Sequence, residues 1–300
     1  MTRDDNILIK NIYYMLAYTY DTLTPSVFEA MQVERMRLNR GAVVKEISRA
    51  CGRLFETPCI STAQGKCRMQ MSERPVYRVQ TGCYQHVCGD GQLCGDSYAC
   101  FNDGSGRQVA IISDGMGSGG RAAVDGAMAS GIFSQLVKAG IGFDTALKIV
   151  NSALVVKSGD ESLATIDVAV LDLFSGCVEL RKAGAPVTIL RQDGQAKRID
   201  APSLPVGILN DAHFAKADAV LRDGDLVVLL SDGALAAGDD WLCETVEQWQ
   251  GLSPQDLAEE LVAEAVARRS DGHDDDVTVL VLRMTTPQPI PKDEDEEKAG

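Results

Sequence analysis

From about residue 75 onward, short apolar runs broken by glycine turns dominate the chain, a rhythm that predicts strands. Val76–Tyr84 alternates apolar and polar positions as a half-buried strand does. Tyr98–Phe101 and Val109–Ser113, joined through Asn102-Asp103-Gly104, predict a hairpin. Gly120–Ala139 and Phe143–Val156 read as two helices. Strands follow at Ala164–Leu173, Val178–Lys182 and Val187–Arg191, with turns at Ser175-Gly176 and Asp193-Gly194. Leu226–Leu230 is apolar throughout, the pattern of a strand buried on both faces. Ser253-Pro254 supplies an N-cap and first-turn proline for an amphipathic helix over Leu257–Arg269, and Val277–Arg283 is the last strand. Helices do not alternate with every strand, so the order predicts an α+β fold of mostly antiparallel sheets with helices outside.

The upstream third reads differently. Ile9–Tyr20 is an apolar, aromatic run with helical character, and residues 27–50 are rich in good helix formers up to Cys51-Gly52. The chain therefore divides into an unassigned segment 1–26, a helical linker 27–74, a main domain 75–284 and a tail 285–300. The tail is proline- and acid-rich and is expected to be disordered. The 29 basic and 43 acidic side chains give a net charge of −14. That charge excludes nucleic acid and anionic membrane surfaces as primary partners. No apolar run approaches the ~18 to 20 residues of a membrane span, and the N-terminus lacks a signal-peptide core, so the expectation is a cytoplasmic chain without a span. Nine cysteines, an odd number with no Cys-x-x-Cys pair, argue against a disulfide framework or zinc knuckle.

Three places share one design, an apolar strand meeting an aspartate beside glycine or another acid. They are Val109–Asp114-Gly115, Leu226–Asp232-Gly233, and Asp274-Asp275-Asp276 running into Val277. A fourth acid, Asp96, precedes a strand. Carboxylates repel one another, so several converging on sheet ends call for a cation. Carboxylates, a backbone carbonyl and waters form the all-oxygen set that suits Mg²⁺ or Mn²⁺, and a glycine after Asp114 lets the backbone approach an ion. A single Asp-Gly is ordinary turn chemistry; the repetition favours metal. Gly115-Met-Gly117-Ser-Gly-Gly120 matches a dinucleotide fingerprint, but Asp114 would face the pyrophosphate and a second helix stands where a parallel strand is required. His86, His213 and His273 are too scattered for a ligand set, and hydrogen bonding to turn backbone accounts for Ser113 and Ser231.

CGDSY, SDGMGSGGRAA, LPVGIL at 204–209, LLSDG and DGHDDDVTVLVL occur in the order seen in metal-dependent protein phosphatases of the PP2C type. LKIVNSALVVKSGDESLATIDV and KAGAPVTIL extend the likeness, and the chain resembles the phosphatase domain of the stage II sporulation protein E family over residues 75–284. The resemblance implies an α-β-β-α sandwich and two Mn²⁺ or Mg²⁺ ions. Asp114 would bridge the ions with the Gly115 carbonyl completing one site, Asp232 and Asp275 would hold the first, and Asp96 would face the second. Asp276 is the less favoured neighbour of Asp275. The implied chemistry is hydrolysis of phosphoserine or phosphothreonine by cation-activated water. The implied substrate is a phosphorylated anti-sigma-factor antagonist in sporulation control. The alternative is a phosphatase-like module that binds a partner without turnover. Arg78 and Arg121 are the two candidates for a phosphate clamp. The 27–50 helix resembles the regulatory segment ahead of such domains, which implies a switch or dimer helix and, with it, a homodimer. The opening IKNIYYMLAYTYD resembles McrC-type restriction components, with nothing downstream in support.

Overall fold

The computed structural model describes residues 28–29, 40–57, 59–63, 66–88, 93–117, 120–157, 162–209, 212–236, 238–269 and 275–287. The apolar run at 9–20, the McrC-like opening and the tail beyond 287 lie outside the described residues. The chain forms two compact units, one from residues up to 76 with 102–107 and the other from 77–101 with the remainder.

In the first unit, strands β1 (Phe28–Glu29), β2 (Cys59–Ala63) and β3 (Lys66–Met71) form an antiparallel sheet with β3 in the centre. Helix α1 spans Arg40–Cys51. Ile47, Phe55 and Met71 are buried, and Arg53 pairs with Glu73 at 2.9 Å. The expected helix over 27–50 is thus confined, among the described residues, to its second half. Phe28–Glu29 is instead extended and paired to Met71 and Gln70. Cross-strand hydrogen bonding overrides local helix propensity there.

The second unit is built from two five-stranded sheets. The first runs β10 (Gln195–Ile199), β9 (Thr188–Gln192), β12 (Leu226–Leu230), β13 (Val277–Thr285), β4 (Arg78–His86), with every neighbouring pair antiparallel. The second runs β11 (Ala215–Val220), β8 (Cys177–Ala183), β7 (Ile166–Asp172), β6 (Arg107–Asp114), β5 (Asp96–Asn102). Helices α2 (Gly120–Lys138) and α3 (Phe143–Lys157) follow β6. Helices α4 (Asp240–Gln248) and α5 (Pro254–Ala267) precede β13.

Strand alternation explains the layering. Along β6, Ala110 and Ile112 join Leu190, Val227, Leu229, Leu280 and Leu282 in a core between the sheets. Val109 and Ile111 point the other way, onto Phe133, Leu147 and Leu154 of α2 and α3. The first sheet repeats the arrangement: Val228, Leu230 and Val279 pack on Trp241 and Leu242 of α4 and on Leu257 and Leu261 of α5. Both faces of the central strands are covered, so they read as continuous apolar runs. The result is the expected α+β, α-β-β-α sandwich. Ser253 caps α5 by accepting from the Asp256 N–H, with Pro254 in the first turn, as its sequence predicts. Among the strands and α-helices of the second unit, β10, β11 and α4 escape the sequence pattern; in the first unit β1, β2 and β3 do, since that segment reads as helical. No helix among the described residues is long and apolar enough to cross a membrane.

Candidate metal centre

Asp114 closes β6, and its backbone is tied to the approach of β7: its N–H donates to Thr165 Oγ1 (3.2 Å) and its carbonyl accepts from Thr165 N–H (2.8 Å). The Ser113 hydroxyl donates to the Thr165 carbonyl at 2.8 Å. Gly115 follows, seated so tightly under α2 that a β-carbon would lie 1.9 Å from the Ala122 carbonyl oxygen. Only glycine allows that approach.

Asp232 follows β12 in the same way. Ser231 N–H donates to the Thr278 carbonyl (2.9 Å), and Thr278 N–H donates to Ser231 Oγ (2.8 Å). The Thr278 hydroxyl, fully buried, donates to Asp96 Oδ2 at 2.6 Å. Gln85 Nε2 donates to Thr278 Oγ1 (3.0 Å) and to the Asp96 carbonyl (3.3 Å). A chain of hydroxyls therefore links β12 and β13 of one sheet to β5 of the other. A β-carbon on Gly233 would sit 2.1 Å from the Asp276 carbonyl oxygen, so the two acid-bearing segments touch.

The acids also act on one another through charge. Burial pushes the Asp96 carboxyl up to about 6; the Thr278 and Ser231 hydroxyls oppose the rise, while the charges of Asp276 and Asp232 add to it. Burial pushes Asp114 to about 8, reinforced by Asp96, Asp232 and Asp275 and by a hydrogen bond with Asp232. Asp275 is raised by burial and by Asp232 and Asp276, against the Asp276 N–H and Arg269. Asp114 thus feels Asp96, Asp232 and Asp275, and Asp232 also acts on Asp96 and Asp275. They are gathered but not closed: among the described residues, no three His, Cys, Asp or Glu side chains converge on one ion-sized point. Proximity of the acids and finished coordination of an ion are distinct properties. An aspartate turns by rotation about two bonds, so proximity set by the backbone is the more durable fact.

Asp276 plays another part. Its Oδ2 accepts from Gly95 N–H (2.5 Å) and its Oδ1 from Cys88 N–H (2.7 Å), so both oxygens are committed to backbone. Asp274 and His273 lie outside the described residues. Arg78 is no clamp: it pairs with Thr285, at the opposite end of β13 from Val277, which pairs with His86. At about 3.4 Å per residue that is most of a strand length away. Arg121 is exposed on the first turn of α2. His213 lines a cavity of about 330 Å³ with Leu204, Pro205, Leu209 and Phe214. The hydroxyls of Ser113 and Ser231 reach across to other strands instead of serving their own turns. Sequence reasoning missed Gln85, Thr278, Thr165 and Arg269.

Two antiparallel sheets between helix pairs, with acids from both sheets at one edge, define the PP2C class of phosphatase domain. A solved structure of the PP2C phosphatase domain with a fragment of the regulatory domain of SpoIIE from Bacillus subtilis matches 89% of this chain and 81% of its own (TM-score 0.74, 25% identity). The phosphatase domain of the same protein, solved without domain swapping, matches 72% of this chain and 96% of its own (TM-score 0.56, 28% identity). The family model described as Stage II sporulation protein E (SpoIIE) matches residues 104–285, and the chain belongs to that family. Stage II sporulation protein E of Bacillus subtilis strain 168 is 31% identical over 214 residues, 69% of this chain and 26% of that protein. The chain thus spans about a quarter of that relative's length.

Proposed function

We propose that this chain is a Mn²⁺- or Mg²⁺-dependent serine/threonine protein phosphatase acting on a phosphorylated anti-sigma-factor antagonist in sporulation control. The observation that carries the reading is the gathering of Asp96, Asp114, Asp232 and Asp275 from both sheets, each raised acid feeling others of the group. Four carboxylates and the Gly115 carbonyl are an all-oxygen donor set, which fits hard divalent cations and disfavours softer ones. Asp114 would reach both ions with the Gly115 carbonyl on one, Asp232 and Asp275 would hold the first, and Asp96 would face the second.

Such a pair of cations, when bound, supplies a water of lowered pKa and offsets the charge of the phosphoryl group. The chain's residues hold the frame. Thr278, Ser231 and Gln85 fix Asp96; Thr165 fixes the end of β6; Asp276 pins Gly95 beside Asp96. Proteins sharing the fold have been solved with two manganese ions (PstP) and with magnesium (RsbX), at 19% and 17% identity, which supports the reading through architecture alone. The substrate assignment rests on family membership.

The first unit is read as regulatory. The solved relative that includes a regulatory fragment matches 89% of this chain and the phosphatase domain alone 72%, a gap about the size of residues 28–74. The second reading, a binding module without turnover, draws on the open arrangement of the acids. The test is phosphate release from phosphorylated candidate antagonists with Mn²⁺ titrated in. Release that requires Mn²⁺ and vanishes in Asp114→Ala and Asp232→Ala is expected. Undiminished release by those variants refutes the metal assignment, and partner capture without any turnover favours the second reading.

A further inference from the structure

We propose that Arg269 is a positioning residue that stitches together the two backbone segments carrying Asp232 and Asp275. This inference rests on the reading of Asp275 as a metal ligand.

Arg269 lies just beyond the end of α5 at Ala267, and its position is set by the helix: its N–H donates to the Val266 carbonyl at 3.4 Å. Its guanidinium Nη2 donates to the backbone carbonyl of Asp275, six positions on. The same Nη2 stands 3.4 Å from where a β-carbon of Gly233 would be. Gly233 follows Asp232 directly, and a β-carbon there would lie 2.1 Å from the Asp276 carbonyl oxygen. One planar head thus bonds the backbone of Asp275 and stands next to the residue that follows Asp232. A guanidinium suits the task because its donors are fixed in one plane and remain charged at any working pH.

Two effects of this side chain on a divalent cation oppose one another. As a positive charge beside Asp275, it repels the cation, and its removal would tighten binding. As a clasp on the Asp275 backbone, it holds a ligand in place, and its removal would weaken binding. Outer partners of metal ligands commonly alter affinity by about 10- to 100-fold. Charge repulsion at a solvated edge is screened. Positioning therefore wins, and the sign of the change reads out which role holds.

The test is a Mn²⁺ titration of the full chain by electron paramagnetic resonance, which counts free Mn²⁺ without reference to activity. It is run on wild type, Arg269→Met and Arg269→Lys beside Mn²⁺-dependent p-nitrophenyl phosphate hydrolysis. Arg269→Met is expected to bind Mn²⁺ about tenfold more weakly and to need about tenfold more Mn²⁺ for half-maximal turnover, while turnover at saturating Mn²⁺ falls less than about threefold. Arg269→Lys, which keeps the charge and one donor, is expected between the two. Equal or tighter binding by Arg269→Met overturns the inference. Should Arg269→Met fail to fold, Arg269→Lys decides, since affinity identical to wild type is then the contradicting result. Wild-type protein that takes up no Mn²⁺ removes the metal reading itself and this inference with it, a failure distinct from that of the clasp alone.

Discussion

The carboxylate of Asp276 accepts a hydrogen bond of 2.5 Å from the backbone N–H of Gly95, a residue 181 positions earlier in the chain. With Cys88 N–H on its other oxygen, Asp276 joins the start of β13 to the segment that delivers Asp96. Its neighbour Asp275 is more open to solvent and accepts the Asp276 N–H at 2.8 Å.

Adjacent acids should therefore fail in different ways. Asp276→Asn presents an amide NH₂ to one of two backbone donors and should cost about 1–3 kcal/mol, seen as a lowered melting temperature in EDTA. Asp275→Asn should melt near wild type in EDTA and lose Mn²⁺-induced stabilisation. The reverse pattern would exchange the roles of the two residues.

Stability and pH follow from the raised acids. Asp96 at about 6 and Asp114 at about 8 stand above their ordinary value of 3.8. Between roughly pH 4 and 8 these groups hold more protons in the folded than in the unfolded chain, so their contribution to stability is largest at low pH and falls as pH rises. Metal-free protein should lose stability through these groups from about pH 4 to 8. With Mn²⁺ the slope should reverse, because ligands must be deprotonated to bind. Melting temperatures from pH 5 to 8, in EDTA and in Mn²⁺, check this; parallel slopes would contradict it.

Two glycines, one packed under α2 and one exposed within it, make a matched pair. At Gly115 a methyl group would lie 1.9 Å from the Ala122 carbonyl, whereas Gly131 in α2 has nothing within 4 Å of its β-carbon position. Gly115→Ala should destabilise by about 1–3 kcal/mol or more and weaken Mn²⁺ binding, since the helix or the carbonyl must move. Gly131→Ala should stabilise by about 0.5–1 kcal/mol. Denaturant unfolding of both variants gives the comparison, and equal effects would rule out the contact as the cause.

Lys182 and Asp167 form an ion pair buried at both ends, 2.6 Å apart, with Thr188 bonded to both. Removing one partner leaves a buried charge, so Lys182→Met should cost about 3–5 kcal/mol. Pairing it with Asp167→Leu should recover most of that loss. A single variant as stable as wild type in urea would contradict the burial.

What could be read from the sequence follows the physics of each element. Leu226–Leu230 and Val109–Ile112 are legible because strands covered on both faces leave uninterrupted apolar runs. The edge strands Gln195–Ile199 and Ala215–Val220 are half-exposed and built from Ala, Lys, Gln and Asp, residues of weak strand propensity, so they carry little signal. The nine-residue helix Asp240–Gln248 is too short for its period to stand out. The candidate acids Asp114 and Asp232 stand out because Asp-Gly recurs at a strand end. Gln85 and Thr278 were not, since lone polar residues on strands announce nothing until pairing brings them to Asp96 across separations of 11 and 182 positions.

The most direct test is crystallographic. Crystals of the protein soaked in Mn²⁺, with diffraction recorded at the manganese absorption edge, locate the ions without reference to turnover. The account predicts two anomalous peaks, both in contact with Asp114, one also held by Asp232 and Asp275 and the other facing Asp96. Peaks elsewhere on the surface, or none near Asp114, would contradict it.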